Sequence, residues 1–93
     1  MSTKAVRAIV SGGVQGVGFR QATRSMARAL ELHGWVRNEL RNGTVEVWLQ
    51  GPGDSVDRMI DWLWIGPPDA EVAGVESEVM AVDRYLGDFL IRQ

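Results

Sequence analysis

"SGGVQGVGFRQAT", residues 11–23, separates two stretches of different hydrophobic period. Before it, Ala5 to Val10 alternates, with Val6, Ala8 and Val10 on one face and Arg7 and Ile9 on the other, which predicts a strand. After it, Phe19, Ala22, Met26 and Leu30 recur at spacings of three and four, while Arg20, Arg24 and Arg28 follow one another at i+4 on another side. That pattern predicts a helix from Phe19 to about Leu32, stopped by Gly34. The join itself holds glycines at 12, 13, 16 and 18, with Arg20 just beyond. Glycine allows successive backbone N–H groups to turn inward with no side chain in the way. Such a loop entering a helix N-terminus suits an anion, and the planar fork of Arg20 suits two oxygens of one phosphate or carboxylate. A plain flexible connector that begins a helix would share the composition.

Working outward, Trp35 to Leu40 and Thr44 to Gln50 read as strands, with Asn42-Gly43 between them as a two-residue hairpin turn. Closed in that way, the hairpin sets Asn38 opposite Val47, Val36 opposite Leu49 and Leu40 opposite Val45. Asn38 is then the polar member of an otherwise apolar face. "GPGDS", residues 51–55, breaks the chain, and Asp54 is placed to cap a helix with apolar positions Val56, Met59, Ile60 and Leu63. Gly66-Pro67-Pro68 ends that helix. Val72 to Val82 reads as a long strand, and "GDFLIRQ" adds a short final one. The order β-α-β-β-α-β predicts an α+β, ferredoxin-like sandwich over residues 1–93, a single domain with two helices on one face of an antiparallel sheet. In that topology the first and second strands are parallel with the third between them, so the glycine loop, Arg20 and Asn38 emerge at one end of the sheet.

Composition narrows the function. At 93 residues, folding should bury roughly 60–65% of the unfolded surface. A net charge of -2 argues against general nucleic-acid binding, which needs a basic face to displace counterions. No cysteine is present, so disulfides, thiolate metal sites and a cysteine nucleophile are excluded. No stretch reaches the ~20 apolar residues of a membrane span. The charged N-terminal residues Lys4 and Arg7 do not resemble a signal peptide, and a cytoplasmic monomer is the expectation. His33 reads as a surface or cap residue, the acidic residues form no acid/base or metal constellation, and at least some of the four tryptophans should be packing.

Two phosphate motifs fail. Gly13 to Gly18 has the spacing of a P-loop, but Phe19-Arg20 stands where Lys-Ser/Thr is required. The G-x-G-x-x-G pattern breaks at Gln21. Instead, "GGVQGVGFR" (12–20), "GWVRN" (34–38) and "GTVEVWLQG" (43–51) resemble the acylphosphatase family, a likeness continued through "MIDWL", "GPPDAEV" and "FLIRQ". The resemblance implies hydrolysis of an acyl phosphate to a carboxylate and inorganic phosphate with no metal or cofactor. It implies a small-molecule substrate and neither nucleic acid nor membrane as partner. By the same resemblance Arg20 matches the phosphate-binding arginine, and Asn38 the asparagine that positions the attacking water. The backbone of Gly13, Val14, Gln15, Gly16, Val17 and Gly18 matches the phosphate cradle. Where the family usually has three residues between that asparagine and the hairpin glycine, Glu39, Leu40, Arg41 and Asn42 intervene here. Acylphosphatase-like domains also occur within larger carbamoyl-transfer proteins, so a binding module is the alternative to a free-standing hydrolase.

Overall fold

The computed structural model describes residues 2–93; Met1, the first residue of the charged N-terminal stretch, lies outside them. The elements are β1 (Thr3–Gly13), α1 (Phe19–Ala29), β2 (His33–Glu39), β3 (Thr44–Pro52), α2 (Gly53–Leu63), β4 (Glu71–Met80) and β5 (Phe89–Ile91). They form a sheet of order β4-β1-β3-β2-β5 with the ferredoxin-like arrangement expected. The four long strands pair antiparallel, whereas β5 runs parallel to β2, so the sheet is mixed rather than purely antiparallel. β5 gives partners to backbone groups of β2 that would otherwise form a bare edge.

Alternation decides which side of the sheet meets the helices. Val6, Ala8 and Val10 of β1, Val36 of β2, and Val45, Val47 and Leu49 of β3 are all at most 2% exposed. They pack with Phe19 and Ala27 of α1, Val56, Met59 and Leu63 of α2, and Phe89 of β5 in one core. α1 lies against β2 and β5, and α2 against β1 and β3. The buried positions of α1 are Phe19, Thr23 and Ala27, while Ala22, Met26 and Leu30 sit half-buried at its flank. The apolar stripe is therefore rotated by one position from the expected one. Thr23 is tolerated at its centre because its Oγ1 donates to the Phe19 carbonyl at 2.7 Å.

Three local expectations are corrected. α1 stops at a Schellman turn, not at Gly34: Leu32 N–H reaches the Ala27 carbonyl at 2.8 Å, and Glu31 N–H reaches that of Arg28 at 3.0 Å. Glu31 takes the left-handed conformation there, at φ 58°. Gly34 belongs to β2, where a β-carbon would fall 1.8 Å from the Trp48 carbonyl oxygen. The second helix has Pro52 as its N-cap, with no side-chain cap bond. Asp54 lies in its first turn, not at the cap, where its carboxylate complements the positive end of the helix dipole.

The third correction concerns the hairpin. Asn38 pairs with Val45 and Val36 with Val47, two residues from the expected register. Only Gly43 adopts positive φ, at 70°, so Asn42-Gly43 cannot make the turn that needs two such residues. The loop instead spans Leu40 to Gly43 and closes with Gly43 N–H on the Glu39 carbonyl at 3.0 Å. Leu40 is thrown out of the ladder and is 82% exposed. A slip of two preserves side-chain parity, so Asn38 keeps the helix-facing side it was expected to have.

The other face of the sheet carries charge and tryptophan. Trp35 and Trp48 stack with centroids 6.3 Å apart, and the guanidinium of Arg92 lies 5.0 Å from the Trp35 ring. Trp62 instead packs on Phe19 at the core margin. Glu46 on β3 is 5% exposed and accepts hydrogen bonds from Arg7 and Arg37, each at 2.5 Å. Burial opposes its ionisation, but the hydrogen bonds and positive charge of the two arginines outweigh burial and hold its pKa below the usual carboxylate value. A lowered folded pKa contributes stability that is complete above the unfolded value and is lost as pH falls through the folded one. Glu46→Gln is accordingly expected to cost about 1–3 kcal/mol at neutral pH. The deficit should shrink in acid, where the parent carboxylate is itself protonated. Urea denaturation of both proteins across the acid range checks this. A deficit independent of pH would show that the charge of Glu46 is not what matters.

Candidate active site

The loop from Val14 to Gly18 follows β1 and delivers the chain to α1 at the same end of the sheet as the end of β2. Gly16 and Gly18 have φ of 74° and 79°, in the left-handed region. A β-carbon at either would meet nothing within 4 Å, so glycine is required there by backbone conformation and not by space. Gly18 is the N-cap of α1 and offers no side chain to its first turn, and no acidic residue stands in that turn. The N–H groups of the first turn have no carbonyl to bond within the helix, and they carry the positive end of its dipole. Among the described residues, the N–H groups of Gln15, Gly16, Val17 and Gly18 also donate to no other backbone carbonyl.

Here lies a concavity of about 240 Å³ lined by Val14, Gly16, Gly18, Phe19, Arg20, Gln21, Asn38 and Ile91. Arg20 enters from the first turn of α1 and Asn38 from near the end of β2. Both are half-buried. Arg7, Arg28 and Arg37 are each engaged by carboxylates, whereas the guanidinium of Arg20 forms no ion pair or hydrogen bond among the described residues. None of the lining residues is acidic. The site is thus a positively biased recess with a free guanidinium, unpaired amide hydrogens and one carboxamide. Such a set can hold a tetrahedral oxyanion and orient a neutral molecule beside it.

The remaining expected site residues are placed less directly. Gly13 is the last residue of β1 and pairs with Glu71 of β4. Val14 lines the recess but is 1% exposed, and its N–H is already turned onto the Gly12 carbonyl at 3.0 Å. Val17 packs against the core margin. Gln15 reaches away from the recess to the hairpin, its Nε2 donating to the carbonyls of Glu39 at 3.1 Å and Thr44 at 2.9 Å. Sequence reasoning missed Phe19, Gln21 and Ile91 as lining residues, having read Phe19 only as an apolar helix position. Gln21 follows from its place one residue after Arg20 at the head of the helix. The Phe89/Ile91 alternation was the only signal for Ile91.

A family model described as Acylphosphatase matches residues 6–91. An acylphosphatase of Pseudomonas aeruginosa is 48% identical over 93 residues, covering 100% of both chains. One of Burkholderia cenocepacia is 58% identical over 80 residues, covering 86% of this chain and 81% of the other. Among solved structures, an acylphosphatase from Coxiella burnetii superposes with a TM-score of 0.92 at 42% identity, over 97% of this chain and 93% of that one.

Proposed function

The chain belongs to the acylphosphatase family and is an acylphosphatase, and from that premise we propose how it splits an acyl phosphate into a carboxylate and inorganic phosphate. The observation that carries the reading is the meeting of the unpaired Arg20 guanidinium, the unsatisfied loop and helix N–H groups, and the Asn38 carboxamide in one recess.

An acyl phosphate is a mixed anhydride whose carboxylate is already a good leaving group. The barrier comes from the phosphoryl oxygens, whose negative charge repels an approaching water. Loop amides and Arg20 bind those oxygens and neutralise the charge that grows on them in the transition state. The Asn38 carboxamide accepts from and donates to a water, holding it in line with the bond to be broken. The water oxygen forms a bond to phosphorus, and the phosphorus–acyl oxygen bond breaks with its electron pair leaving on the carboxylate. An amide is too weak a base to take the water's proton, which passes to a phosphoryl oxygen of the substrate.

The test is the disappearance of acetyl phosphate in the presence of a chelator. Hydrolysis well above the spontaneous rate, unchanged by chelator and competitively inhibited by inorganic phosphate, is expected. Binding of phosphate without turnover would instead identify a binding module.

A further inference from the structure

We propose that Gln15 is a positioning residue for this reaction, tying the anion loop to the strand end that carries Asn38. The proposal rests on the mechanism above, in which Asn38 aims the water. Both acceptors of Gln15, the carbonyls of Glu39 and Thr44, are oxygens, so only its NH₂ edge can face them and the amide orientation is fixed by chemistry. Glu39 and Thr44 face one another across the final β2–β3 pair, and Glu39 immediately follows Asn38. The Glu39 carbonyl also accepts the Gly43 N–H that closes the hairpin loop. One side chain therefore grips both strands at the base of that loop.

These are the hydrogen bonds that join the loop to the hairpin among the described residues. They matter because phosphate and water are held by different segments. Arg20 and the loop amides fix phosphorus, Asn38 fixes the nucleophile, and beyond the ends of the shared β3 ladder, where Val45 pairs with both Val10 and Asn38, the loop is placed relative to the hairpin by packing. A displacement of about 1 Å between such groups can cost on the order of 10²-fold in rate. The hairpin needs the tie especially, since among the described residues its exposed tip, from Leu40 to Gly43, is steadied by hydrogen bonds of its own turn to Glu39.

The experiment is a double-mutant cycle of Gln15→Leu and Asn38→Ala, read by kcat on acetyl phosphate and by inhibition with inorganic phosphate. Gln15→Leu keeps the side chain's bulk and removes its donors. It should lower kcat by roughly 10-fold or more while weakening phosphate inhibition much less. In the Asn38→Ala background the same change should have little further effect, because the residue it positions is gone. Thermal melts of all four proteins establish that each is folded at the assay temperature. Fully multiplicative losses, or phosphate inhibition weakened as much as kcat, would overturn the proposal and make Gln15 a support of the loop alone. If Asn38→Ala by itself leaves kcat intact, the mechanism fails, and the role of Gln15 fails with it. The Asn38→Ala protein alone reports that case, so the two failures are distinguishable.

Discussion

Arg20→Ala should remove nearly all turnover and most phosphate affinity while leaving the fold intact. Among the described residues the half-buried Arg20 guanidinium has no ion pair to lose, so its deletion breaks no internal salt bridge there. What it removes is the one full positive charge among the described residues that line the recess. A charge-assisted, bidentate contact to a phosphoryl group grows stronger as charge accumulates in the transition state, and loss of such a contact is expected to cost about 10³-fold or more. Arg20→Lys should recover little, since a point charge on a flexible stem cannot span two oxygens in a fixed plane. The checks are kcat/KM on acetyl phosphate, the inhibition constant of inorganic phosphate, and a melting curve. Near-normal turnover in the alanine variant would remove Arg20 from the mechanism.

Asn38→Ala should separate catalysis from binding. The carboxamide comes from β2, whereas the proposed phosphate site is built from the loop and the head of α1. Alanine at this position is expected to lower kcat by roughly 10²–10³, the loss typical of one preorganised polar group. Phosphate inhibition should change far less. Asn38→Asp is a sharper variant, because it keeps the shape and adds a negative charge beside a dianion. It should bind phosphate more weakly than the alanine variant. Equal losses in kcat and in phosphate affinity for Asn38→Ala would assign the residue to binding.

The glycine loop between β1 and α1 and the place of Arg20 at the head of the helix were legible because the evidence for them is local: strand, glycines, cation and helix follow one another within residues 11–23. The face of Asn38 was legible for a different reason. The Asn-Gly pair misassigned the turn, and the register slipped by two, but a slip of two returns each side chain to its own side of the sheet. Leu40 shows the limit of that protection, since it left the ladder altogether. The Gln15 link was not legible. It joins residues 24 and 29 positions apart, and in the sequence Gln15 looks like a spacer between glycines. Glu31 carried no stop signal either, because glycine is the usual residue at a left-handed helix end. The burial of Thr23 depended on a bond to its own helix, which hydrophobic period alone does not report.

The central claim is that water is delivered to phosphorus and not to the acyl carbon. Hydrolysis of acetyl phosphate in water enriched in heavy oxygen, followed by mass analysis of both products, tests it most directly. Solvent oxygen should appear in the inorganic phosphate and be absent from the acetate. Solvent oxygen in the acetate, with none in the phosphate, would place the attack on carbon and contradict the roles given to Arg20, the loop amides and Asn38 together.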